Sequence, residues 1–98
     1  MSAAGEIPIF ARWLVADGAM DEVMAIVAEL RPKSLGEEGC LGYEVYQAVR
    51  HPRGLLLLER YRDDAALEAH RQSAHYQALV VHGVVPLLEE RQVEVFKS

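Results

Sequence analysis

Gly54-Leu55-Leu56-Leu57-Leu58-Glu59-Arg60-Tyr61-Arg62, followed by Asp63-Asp64, is the stretch that decides the fold. Four consecutive leucines leave neither face of an extended strand polar, so this strand is expected to be central and buried on both sides. One side calls for a helix layer and the other for a second apolar covering. Upstream, Arg50 to Gly54 carries His51-Pro52 and a glycine, which reads as the turn of a hairpin. Its other arm is Cys40–Val49, with Leu41, Tyr43, Val45 and Val49 alternating against Cys40, Gly42, Glu44, Tyr46 and Ala48. Gly42 leaves an open spot that suits a bulge or a close ligand. Downstream, Asp63-Asp64 places acids at the positive end of a helix dipole. Ala66, Leu67 and His70 then share one face of that helix. Ser73 can cap a second helical segment, Ala74 to about His82, which Gly83 is expected to end.

The flanks complete the pattern. Ile7–Val15 alternates as a strand, with Phe10 and Leu14 making its second face partly apolar. Asp17 is a candidate N-cap for an amphipathic helix from Ala19 to about Arg31, and Pro32 should end it or distort its last turn. Ser34–Gly39 reads as a loop, Val84–Leu88 as an apolar connection, and Gln92–Phe96 as a last strand. The order β-α-β-β-α-β is that of the α+β, ferredoxin-like split βαβ class. Helices would cover one face of an antiparallel sheet and leave the other for a second copy of the chain.

Ninety-eight residues make one domain, 1–98, with its core at about 7–96. Net charge is −5, and the Lys and Arg residues are scattered, which argues against nucleic-acid binding. No apolar run approaches bilayer length, and Met1–Gly5 lacks the basic start of a secretory signal. The expected compartment is the cytoplasm, with no membrane partner. The single cysteine, Cys40, excludes an internal disulfide and a Cys-rich zinc site, and reads as a small buried residue. Hydrophobic residues make up 51% of the chain, more than so small an interior readily hides. Either an apolar cavity or a covering copy should take up the surplus.

Three stretches stand together: Glu37-Glu38-Gly39-Cys40-Leu41-Gly42-Tyr43-Glu44-Val45-Tyr46, Leu58-Glu59-Arg60-Tyr61-Arg62-Asp63-Asp64-Ala65-Ala66-Leu67-Glu68-Ala69-His70, and Ser73-Ala74-His75-Tyr76. In this combination the chain resembles the antibiotic biosynthesis monooxygenase domain family, and within it the small quinol-monooxygenase-like members, over about Ile7 to Phe96. The resemblance implies a homodimeric α+β barrel with a pocket between sheet and helices in each subunit. It also implies oxygenation without a cofactor, in which a small aromatic quinol, phenol or anthrone meets O₂ directly. Related members isomerise or degrade small metabolites, and one branch degrades haem. That branch resembles this chain with a Trp and a ligand His at the positions of His70 and Val80, so haem chemistry does not carry over.

A cofactor-free oxygenase needs a base near neutral pH, an apolar pocket and a donor for a developing oxyanion. His70 is the candidate base, matching the family's recurring histidine; a structural alternative bonds it to a strand carboxylate such as Glu59, holding helix to sheet. His75, Tyr43, Tyr46, Tyr61 and Glu59 are the candidate substrate-binding residues, the tyrosines offering rings to stack on and hydroxyls to orient an oxygen. On a continuous helix His70 and His75 would lie about 140° apart, so they form no metal pair unless the helix breaks, as Ser73 would allow. No His-x-x-x-His or Cys-x-x-Cys is present, and no metal is expected. Trp13 reads as packing, and Arg12 and Arg60 as cross-strand partners of Glu44 or Glu59. Phosphate loops and a nucleophilic-serine motif are absent from the sequence. The remaining alternatives are an isomerase or degrading enzyme on the same scaffold, and a non-catalytic ligand-binding dimer.

Overall fold

The computed structural model describes residues 5–96. Strand β1 (Ile7–Val15) is followed by helix α1 (Met20–Leu35), then strands β2 (Cys40–Gln47) and β3 (Gly54–Tyr61) and helix α2 (Asp64–Gln72). A π-helical segment (Tyr76–Val84), a short 3₁₀ turn (Val85–Leu87) and strand β4 (Leu88–Val95) complete the chain. The strands form one antiparallel sheet in the order β2-β3-β1-β4. This is the expected α+β, ferredoxin-like arrangement, and the leucine-rich β3 is an interior strand.

Alternation along the strands sorts the sheet into two faces. Ile7, Ile9, Ala11, Trp13 and Val15 of β1 are buried under the helices, as are Leu55, Leu57, Glu59 and Tyr61 of β3. α1 contributes Val23, Val27 and Leu30 at helical spacing, and the π-helical segment adds Val80 and Val84. A smaller cluster of Ile7, Ile9, Tyr61, Ala66 and Leu67 sits beneath α2. On the outer face Phe10, Leu14, Leu56 and Leu58 are only half-buried.

Several local expectations are corrected. Pro32 does not end α1, which runs on to Leu35. The proline costs one bond, to the carbonyl of solvent-facing Ala28, while Leu30 and Ser34 on either side of it are buried and hold the turn. The N-cap is Ala19, after a turn at Gly18 (φ +82°), and not Asp17. Gly83 lies within the π-helical segment; an added Cβ would stand 3.4 Å from Ile26 Cδ1, so the glycine lets this segment close on α1. β4 starts four residues early, at Leu88, because Leu88, Glu90 and Arg91 pair with Val15, Leu14 and Trp13 of β1, with Glu89 passed over at a register shift. At the head of β2 the register shifts between Cys40 and Gly42, the bulge that Gly42 invited. The space over Gly42 is taken by Arg60, whose guanidinium donates to Glu6 at 2.8 and 3.2 Å rather than to Glu44 or Glu59.

Candidate functional site

The site is built where α2 stops. Asp63 caps the helix by accepting from the backbone N–H of Ala66 at 2.8 Å, which fixes Leu67 and His70 on its inward face. His70 is 2% exposed. Ser73 then breaks the helix: its backbone is extended, its hydroxyl donates to the His70 carbonyl at 2.6 Å, and it accepts from the N–H of Tyr76 at 3.1 Å. The serine thus closes one helix and opens the next. The turn swings His75 back beside His70, with ring centroids 6.1 Å apart.

A loop supplies the group that joins them. Gly39 packs so tightly on α2 that an added Cβ would lie 2.3 Å from the Cβ of Ala66, and its carbonyl accepts from Arg62 N–H at 2.8 Å. Only a residue without a side chain permits that approach, which delivers Glu37 to the helix. Glu37 Oε2 lies 2.7 Å from His70 Nδ1 and 2.5 Å from His75 Nε2. A carboxylate only accepts, so both of these ring nitrogens carry protons in this arrangement. In a neutral ring that leaves His70 Nε2 with the lone pair, 3.7 Å from Glu59 Oε1 and beyond hydrogen-bond reach.

Glu59 in turn accepts from the Tyr61 hydroxyl at 2.6 Å. Burial pushes the Glu59 carboxyl above the usual carboxylate range, against the opposing pull of Tyr61 and His70. Burial, reinforced by the Glu59 charge, likewise drives the phenols of Tyr43 and Tyr61 far above their ordinary value, so both remain neutral. Three tyrosine rings surround His70: Tyr61 at 5.0 Å, Tyr76 edge-on at 5.0 Å and Tyr43 at 6.2 Å between centroids.

A cavity of about 40 Å³ adjoins this cluster, lined by Trp13, Tyr43, Glu59, His70, Tyr76 and Val80 among others. It holds a water- or O₂-sized molecule, not an aromatic ring. Arg91 of β4, on the solvent side, donates to the Tyr76 hydroxyl at 2.8 Å across its rim. Trp13 Nε1, buried, has no acceptor among the described residues, nor does Glu37 Oε1 have a donor.

The structure therefore brings together His70, His75, Tyr43, Tyr61 and Glu59. Tyr46 is placed elsewhere. It lies three residues from Tyr43 on a strand of period two, so it faces the outer side, 52% exposed, in a groove of about 490 Å³ with Arg12, Leu14, Leu56 and Gln92. His51 and His82 are exposed and take no part. Sequence reasoning missed Glu37, Tyr76, Arg91 and the indole of Trp13. Glu37 was visible only as one acid of a Glu-Glu-Gly loop, and Arg91 lay outside the expected last strand.

Comparison with known proteins identifies relatives of this chain. The sequence profile of the family described as antibiotic biosynthesis monooxygenase matches residues 7–81. "Putative monooxygenase YcnE" of Bacillus subtilis is 30% identical over 63 residues, covering 64% of this chain and 66% of that protein. "Putative monooxygenase Rv0793" of Mycobacterium tuberculosis is 31% identical over 70 residues, covering 71% and 68%. The solved structure of Rv0793 superposes with a TM-score of 0.88 at 29% identity, covering 95% of this chain and 94% of its own. A conserved protein from Methanosarcina mazei Go1 gives the same TM-score at 28% identity, covering 95% and 92%. With three quarters of its length matched by that profile, and His70, His75, Glu37, Glu59 and Tyr61 all inside the matched span, the chain belongs to the antibiotic biosynthesis monooxygenase family.

Proposed function

We propose that this protein is a monooxygenase that oxidises a small, electron-rich aromatic such as a hydroquinone with O₂, using its own side chains and no cofactor. The observation that carries the reading is the Glu37–His70 pair. A half-buried carboxylate holds the Nδ1 proton and leaves Nε2 of the neutral ring as a base beside a small cavity, the logic by which a carboxylate orients a catalytic histidine elsewhere.

His70 Nε2 takes the phenolic proton, and the resulting anion can pass an electron to O₂. Recombination of the radical pair forms a carbon–peroxide bond, which the imidazolium protonates. Loss of water from that hydroperoxide leaves a new carbonyl. One oxygen atom ends on carbon, the other in water, and the substrate supplies all four electrons. Trp13 Nε1–H is the candidate donor to the substrate oxygen, since it is buried and unpartnered in the cavity wall. The neutral phenols of Tyr43 and Tyr61 keep further negative charge away from the developing anion. The cavity accommodates O₂; the aromatic ring enters at the rim once the Arg91–Tyr76 hydrogen bond opens.

Two copies pairing through the outer face would cover Phe10, Leu14, Leu56, Leu58 and Tyr46, which a lone subunit leaves partly wet. Sedimentation equilibrium at micromolar concentration is expected to give a dimer mass.

The reaction is tested with an oxygen electrode and a panel of hydroquinones, the product being weighed after turnover under ¹⁸O₂. One labelled oxygen per product is expected, and His70→Ala should lower kcat by about 100-fold or more. Conversion of a substrate without O₂ uptake would point instead to an isomerase. Absence of turnover across the panel, with ligand binding intact, would leave a binding protein.

A further inference from the structure

We propose that Glu37, His70 and His75 form a binding site for a divalent first-row transition cation. One ligand atom from each of the three residues lies within 4.8 Å of the others, and Glu37 Oε2 touches both His70 Nδ1 and His75 Nε2. All three side chains are shielded from solvent: His70 is buried, and the Glu37 and His75 side chains are 16% and 19% exposed. The expectation of no metal pair rested on one continuous helix, and Ser73 removes that premise by ending α2 between the two histidines.

The donor set selects the ion. Two imidazole nitrogens and one carboxylate, with room for a fourth ligand, suit Zn²⁺, Co²⁺, Ni²⁺, Cu²⁺ or Fe²⁺. Ca²⁺ and Mg²⁺ demand more oxygens. Tetrahedral coordination separates neighbouring ligand atoms by roughly 3.3 Å. The two nitrogens now stand 2.7 and 2.5 Å from Oε2, so each nitrogen–oxygen separation needs to widen by less than about an ångström. A second, independent feature favours a cation: Glu37 Oε1 is buried with no donor among the described residues. Such an oxygen is costly to leave unmet, and a metal gripped by both oxygens of this carboxylate would satisfy it.

Occupancy has a chemical consequence. A neutral imidazole carries one proton. A metal on His70 Nδ1 takes the lone pair of that nitrogen, so the ring's single proton, which now points at Glu37, must move to Nε2. The nitrogen facing the cavity then donates and can no longer act as a base. Metal binding would therefore switch off turnover; that clause rests on the oxygenase reading, whereas binding itself does not.

The test uses tag-free, chelator-stripped protein and ZnCl₂ in isothermal titration calorimetry. One Zn²⁺ per chain is expected at micromolar affinity or tighter. Glu37→Gln and His75→Ala should each weaken it at least tenfold with unchanged circular dichroism, while the His51→Ala/His82→Ala double variant should bind as wild type. Zn²⁺ should also raise the thermal midpoint of wild type. X-ray absorption of the zinc-loaded wild type, which needs no variant to fold, should show two imidazoles and oxygen around the metal. No binding heat, affinity retained in both Glu37→Gln and His75→Ala, or a shell without imidazole would overturn the proposal. Zn²⁺ bound at this site without loss of O₂ uptake would leave the site standing and refute His70 as the base.

Discussion

The inner face of the sheet has two ends that are built on opposite principles. Beneath α1 it is aliphatic: Val23, Val27 and Leu30 pack on Val15, Leu55 and Leu57, and all are buried. Beneath α2 the sheet presents Glu59 and Tyr61, the helix presents His70, and a loop adds Glu37. The first end gains from every methylene it hides. At the second, each buried polar group must be met by another, and Glu37 Oε1 is not. The contrast teaches that stability and chemistry are assigned to different helices of one small domain. α1 secures the fold, and α2 carries a polar cluster that the α1 end makes affordable.

This comparison can be broken at either end. The largest effect is expected from Leu57→Ala, which empties a fully buried site in the aliphatic cluster: about 2–5 kcal/mol lost in urea unfolding, with the His70 environment unchanged by NMR. Next comes Gly39→Ala. Its new Cβ collides with Ala66, so the loop must back away, costing about 1–3 kcal/mol. Unlike Leu57→Ala, it should also separate Glu37 from the histidines, seen as altered imidazole ¹⁵N shifts.

Glu59→Gln sharpens the same contrast in the other direction. The folded state holds the Glu59 proton more tightly than the unfolded chain, so the wild type loses stability as pH rises above about 4 towards its raised native value. The Gln variant lacks that slope. It should match or exceed wild-type stability at pH 7, by about 1 kcal/mol, and the gap should narrow towards pH 4. The buried phenols extend this to high pH. Their native values lie above the unfolded value of about 10, so the stability they contribute is complete below pH 10 and declines above it. Tyrosine ionisation, followed by phenolate absorbance, should show a component that coincides with loss of circular dichroism, and that component should shrink in Tyr61→Phe. The smallest effect is expected from Glu44→Ala, which removes the exposed ion pair with Arg31: under about 0.5 kcal/mol.

Much of this was legible in the sequence, and the reasons are specific. The leucine run placed β3 inside the sheet because apolarity on both faces admits no other position. His70 followed from sharing a helix face with Leu67, and the period of two already set Tyr46 against Tyr43. Glu37 was not legible. Its role depends on Gly39 docking against Ala66, a tertiary contact with no periodic trace. Pro32 misled because a proline's missing bond is cheap where the orphaned carbonyl meets water. The convergence of the two histidines needed the serine break, whose possibility the residues showed but whose direction they did not. The size of the chamber was equally hidden, since side-chain filling around Tyr76 and Arg91 determines it.

The central claim is that a small aromatic meets this protein on the inner face, at the α2 end, and not in the larger groove around Tyr46. A ¹⁵N-labelled sample titrated with a redox-stable quinol analogue under nitrogen tests it directly. The account predicts shift changes concentrated at His70, Tyr76, Val80 and Arg91, with the indole N–H of Trp13 among the largest. Perturbation centred on Tyr46, Leu56 and Gln92, with His70 and Trp13 unmoved, would contradict it.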